Sequence, residues 1–159
     1  MSDAPVATDT GPTVAEAAER VRQMLAPFDD VAVGDDGTCS LTYGSAHVTV
    51  DIGVFDEDQA VAHVRSRCVT GATPSPELYH WAATHRADIG QFRVIDEDDG
   101  TATIEFSRSL IAEFLNPAEL RLTVVAVAFA ADQHDDELAA RFGGTVHDAA
   151  GNIVSSTTS

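Results

Sequence analysis

The sequence predicts an α+β domain in the order α-β-β-β-(β)-α-β-β-α, an antiparallel sheet packed by helices. Three observations predict it. Helix-start signals stand at three well-separated places: Thr13 with Glu16, Ser75 with Pro76 and Glu77, and Asn116 with Pro117 and Glu119. Between them lie runs that alternate apolar and polar residues, the period of a half-buried strand. Acidic–glycine pairs at Asp36–Gly37 and Asp99–Gly100 separate those runs as hairpin turns.

The first helix is predicted over 14–26. Val14, Ala17, Val21, Met24, Leu25 and Phe28 recur at helical spacing, and Pro27 stops it. "VAVGDDGTCSLTY" reads as two short strands around Asp36–Gly37, with Cys39, Leu41 and Tyr43 on one face. "GSAHVTVDIGVF" puts Ala46, Val48, Val50 and Ile52 on one side of the next strand, and "AVAHVRSRCVT" reads as another.

The second helix is predicted over about 76–86. Leu78, Trp81, Ala82 and His85 share one of its faces at i, i+3, i+4 and i+7. This stripe is predicted to be buried, in the core or at an interface. A hairpin follows, "QFRVI" and "TATIEFS", around a two-residue Asp99–Gly100 turn. "SLIAEFL" fits either a longer strand or an irregular connection. The last helix runs from Pro117 to Phe142, where Gly143–Gly144 ends it. Residues 1–12 are predicted disordered, 13–144 form a single domain, and 145–159 a loose tail.

At 159 residues and 44% apolar composition, one globular domain with a real core is expected. The balance of 26 acidic to 9 basic residues leaves a net charge of −17, and every basic residue is arginine. Such a charge repels phosphate backbones, so neither nucleic acid nor an anionic membrane is an expected partner. No apolar run reaches membrane-spanning length, and "MSDAPVATDTGPT" lacks the pattern of a secretory signal, which points to the cytoplasm. Cys39 and Cys68 fit buried free thiols in a reducing compartment.

No catalytic constellation is legible. His80 and His85 are five residues apart and do not share a helix face, so they cannot pair as metal ligands. "DEDDG" places its glycine out of register for a calcium loop. Asp132, Asp135 and Asp136 share a face of the last helix and read as a solvated acidic patch. No phosphate-binding, dinucleotide-binding or nucleophile-elbow motif occurs. No metal or other cofactor is therefore expected. Arg65 and Arg67 alternate on one strand and point the same way, which suits a solvated face or a grip on an acidic group.

Two segments resemble a known family. In "PELYHWAATHRADIGQFRVIDEDDGTATIEFSRSL" a helix feeds a G-x-F strand and an acidic–glycine hairpin; "NPAELRLTVVAVAFAADQHDDELAARFGG" closes on AD-x-x-D-x-EL-x-x-x-FGG. With the element order, they resemble the type III secretion chaperone-like fold, particularly its YbjN-type branch, over 14–144. The resemblance implies a small cytoplasmic domain that binds a peptide or protein client, often as a homodimer, and is not an enzyme. Leu78, Trp81, Ala82 and His85 are then candidates for an interface or a peptide-binding surface. The alternative is a small cone-shaped α+β enzyme or ligand binder of the NTF2-like kind; a chain that closes on a long helix counts against it.

Overall fold

The computed structural model describes residues 13–56, 59–147 and 153–154. Helix α1 (Val14–Leu25) starts where expected, with the Thr13 hydroxyl accepting from the Glu16 N–H at 3.2 Å. Its buried face, Ala17, Val21 and Leu25, repeats every fourth residue. Strands β1 (Ala32–Val33), β2 (Cys39–Tyr43), β3 (Ala46–Asp56) and β4 (Gln59–Ala72) follow. Helix α2 spans Pro76–Thr84, β5 Gln91–Asp96 and β6 Ala102–Ile111; a single 3₁₀ turn, Ala112–Phe114, leads to α3 (Pro117–Phe142). The "SLIAEFL" run is thus both of the things it fits: its first half extends β6 and its second half is an irregular connection.

The strands form one antiparallel sheet in the order β1-β2-β3-β4-β6-β5. All three helices pack on one of its sides. There Leu41, Val48, Val50, Val64, Ile104 and Phe106 meet Leu25 of α1, Leu78 of α2, and Leu120, Val124 and Leu138 of α3. Strand alternation sends the intervening residues to the other, helix-free side.

Three expectations are corrected. Helix α2 ends at Thr84, not 86: His85 leaves helical geometry at φ −69°, ψ 118°. The β5–β6 hairpin closes over three residues rather than two. The Glu97 N–H still reaches the Thr101 carbonyl at 2.9 Å, and the Gly100 N–H turns back to the Glu97 carbonyl at 3.1 Å. The β1–β2 turn repeats this geometry, because both contain Asp-Asp-Gly-Thr and use the second aspartate to accept from the threonine N–H at 2.9 Å. Last, residues 145–147 are not loose. They form β7 (Thr145–His147), which pairs with Val69 and Thr70 of β4 and with a further short strand, β8 (Ile153–Val154).

Gly144 makes β7 possible. Its φ is +93°, and a Cβ there would lie 2.6 Å from the Thr70 carbonyl oxygen. Only a glycine turns the chain off α3 that close to β4. Residues 1–12, expected to be disordered, lie outside the described residues, as does most of the expected tail.

Candidate functional site

The four-residue stripe of α2 divides into a buried end and an accessible end. Leu78 is wholly enclosed; Trp81, Ala82 and His85 are half-buried. Ser75 caps the helix by accepting from the Leu78 N–H at 3.1 Å, and the Tyr79 hydroxyl donates to the Asp96 carboxylate, tying α2 to β5. Trp81 and His85 stack, centroids 4.6 Å apart and planes 27° from parallel. Phe92 of β5 lies 4.8 Å from Trp81 and 5.2 Å from His85, and leads inward to Phe106 at 4.8 Å. His134 of α3 completes the cluster 5.1 Å from His85. Its Nδ1–H donates to the Ala130 carbonyl at 2.8 Å, which fixes the tautomer. Burial, with His134 adding to it, pushes the His85 imidazole below its ordinary value.

His85 stands between two open hollows. One, of about 410 Å³, lies against β5 and is lined by Tyr79, Ala82, Ala83, His85, Phe92 and Val94 among others. The other, of about 390 Å³, lies between the Arg86–Ile89 loop and the exposed Phe129 of α3. Both are open depressions with few charged groups, suited to a side chain of a passing polypeptide more than to an enclosed substrate.

The helix-free side of the sheet is different in kind. Register aligns Arg67 of β4, Glu105 of β6 and Arg93 of β5 in one row, and Arg65, Ser107 and Gln91 in the next. Glu105 is 4% exposed, and its Oε1 lies 3.8 Å from Arg93 Nη1 without a hydrogen bond. Burial raises its carboxyl, against the pull of Arg65, Arg93 and Arg67. Arg65 meets Asp51 at 3.4 Å and leaves its own Nε unsatisfied; His47 Nδ1, on the same face of β3, is unsatisfied too.

One more row contains Asp51, His63 and Ser109, side by side on β3, β4 and β6. His63 Nδ1 and Ser109 Oγ are 2.8 Å apart. Residue types alone would suggest an acyl-transfer triad, but the geometry does not support one. Asp51 turns to Arg65, so no acid orients the imidazole. Ser109 sits mid-strand, where backbone N–H groups serve the ladder rather than an oxyanion. Burial and Arg65 lower the His63 imidazole, and Gly53 makes room for it: a Cβ there would lie 3.0 Å from His63 Nε2.

A family model described as "T3SS (YopN, CesT) and YbjN peptide-binding chaperone 1" matches residues 15–150. The chain belongs to this family. Its members are peptide-binding chaperones, and the match extends past α3 into the β7 region. Among solved structures, the Yersinia pestis type III secretion chaperone SycH in complex with a stable fragment of YscM2 is similar at 15% identity and a TM-score of 0.46, over 76% of this chain and 98% of that one. No curated protein sequence matches.

The remaining polar groups of this chaperone-family chain take structural parts. Asp132 and Asp136 are exposed on α3, whereas Asp135 is half-buried and burial pushes its carboxyl up to about 6. Cys39 and Cys68 are free and enclosed, and burial drives the Cys68 thiol up to about 12, where it is inert. Among the described residues no group of three or more His, Cys, Asp or Glu is placed to hold a metal ion, and no helix is long and apolar enough to cross a membrane.

Proposed function

We propose that this domain holds an extended segment of a client protein along the outer edge of β5, with client side chains entering the hollows beside Trp81 and His85, and that it catalyses nothing. One observation carries the reading. Strand β5 ends the sheet, and among the described residues no strand pairs with its outer side, while the 410 Å³ hollow opens beside it. An added strand gains main-chain hydrogen bonds from such an edge, and alternate side chains reach the pockets flanking it. Leu78 anchors α2 from beneath; Trp81, Ala82 and His85 supply the apolar contact. Two buried free thiols fit a reducing, cytoplasmic setting. The same edge can accept a second copy of this chain, so a homodimer competes with a client for it.

A photoreactive residue at Ala83, exposed on the rim of the hollow, tests this. Mass mapping of the adducts formed in cells should find extended client segments at Ala83 and few at Ala118, exposed in the first turn of α3. Adducts only to a second copy of the chain would make the edge a dimer interface instead. Equal capture at both positions would remove the site altogether.

A further inference from the structure

We propose that the helix-free side of the sheet is a second docking surface, which takes an acidic stretch of the client through Arg65, Arg67 and Arg93. The proposal rests on the peptide-binding reading above but concerns the opposite face of the sheet. Its first support is charge. In a chain of net −17 whose only cations are nine arginines, three of them lie on this one face. Three carboxylates stand among them, Asp51, Glu105 and Glu97, which accepts from the Thr103 hydroxyl at 2.6 Å, so the face is balanced while the molecule is strongly negative. Among the described residues no carboxylate is within ion-pairing distance of Arg67, whose side chain is exposed.

The second support is independent of charge. The three buried side-chain polar atoms left without a hydrogen bond among the described residues, His47 Nδ1, Arg65 Nε and Glu105 Oε1, all belong to this face. Buried polar groups are normally paired, and such a concentration marks a place that expects a partner. A polypeptide meets the need on both counts. Its carbonyls accept from Arg65 Nε, its N–H groups donate to Glu105 Oε1, and its carboxylate side chains reach Arg67 and Arg93, one row away across the strands. The spacing favours acidic residues at alternate positions, which point the same way in an extended chain.

Three fluorescent twelve-residue peptides, alternating threonine with glutamate, glutamine or lysine, distinguish the possibilities by anisotropy with the full chain. The glutamate peptide should bind best. Arg67→Gln, which breaks no ion pair, should weaken it roughly threefold to fivefold, the size of one solvent-exposed charge pair. Arg93→Gln should do the same, with the added loss of the partner of Glu105, so its thermal melt is recorded alongside. Arg67→Glu should shift preference toward the lysine peptide. Equal binding of all three peptides to wild type, unchanged by Arg67→Gln and Arg67→Glu, would leave edge pairing at β5 standing and end this proposal. Binding of the lysine peptide in preference to the glutamate peptide by wild type, or of none of the three, would end it as well.

Discussion

At the scale of single residues, Trp81 and His85 show what the pattern of a helix face conveys and what it does not. Their i, i+4 spacing on the stripe with Leu78 correctly anticipates that they meet. It cannot tell that Trp81 is only half-buried, or what surrounds the pair. The surroundings are Phe92 and His134, brought in from a strand and a helix elsewhere in the chain. Glu105 was illegible for a related reason. In "TIEFS" it is the polar member of an alternation, and its neighbours Arg67 and Arg93 come from other strands. Alternation shows which residues of one strand share a side, but not which residues of two strands share a row. The stacked pair also gives a pH prediction. Burial and His134 favour neutral His85, so its contribution to stability is complete above the ordinary imidazole value of 6.5 and is lost as pH falls below it. Trp81 is the only tryptophan, so its emission reports the stack directly. A titration should show a quenching step with its midpoint below 6.5 that disappears in His85→Phe. A step that persists in that variant would show that His85 is not its source.

At the scale of elements, the helices were legible almost to the residue because their ends are chemical. Thr13, Ser75 and Asn116 each accept the backbone N–H three residues on, as their positions before an acidic first turn imply. The long strands were legible from alternation. β7 and β8 were not, since strands of three and two residues carry no period and exist only because β4 offers an edge beyond the start of β3. The Gly143–Gly144 pair was visible as a helix stop; its second purpose, returning the chain to β4, was not. Gly144→Ala should therefore cost about 2–3 kcal/mol, combining positive-φ strain with a collision against backbone. Urea unfolding gives the total. Hydrogen exchange localises it: the Val146 amide should lose protection while the β5–β6 hairpin keeps its own. Uniform loss of protection across the sheet would mean that β7 is integral to the core rather than an addition to it.

At the scale of the whole molecule, the composition anticipated the charge but not its arrangement. An acidic total of −17 suggests basic clients if charge is imagined as evenly spread. Folding gathers Arg65, Arg67 and Arg93 on one side of the sheet and leaves the excess of carboxylates to the helices, turns and remaining surface. Long-range and short-range electrostatics therefore oppose each other. At low ionic strength the field of the molecule resists the approach of an acidic segment, while the arginines hold it once it arrives. The same excess acts on the fold itself, because carboxylates crowded onto a compact surface repel one another more than in the extended chain. Raising NaCl from about 10 mM to about 150 mM shortens the screening length from roughly 30 Å to roughly 8 Å, well below the width of the domain. Salt should then raise the melting temperature, and most of the gain should come by 150 mM, where screening of distant charges is largely complete. A melting temperature that falls over this range would show that local pairs such as Arg22–Glu19 and Arg141–Glu77, which salt weakens, outweigh the repulsion between the unpaired acids.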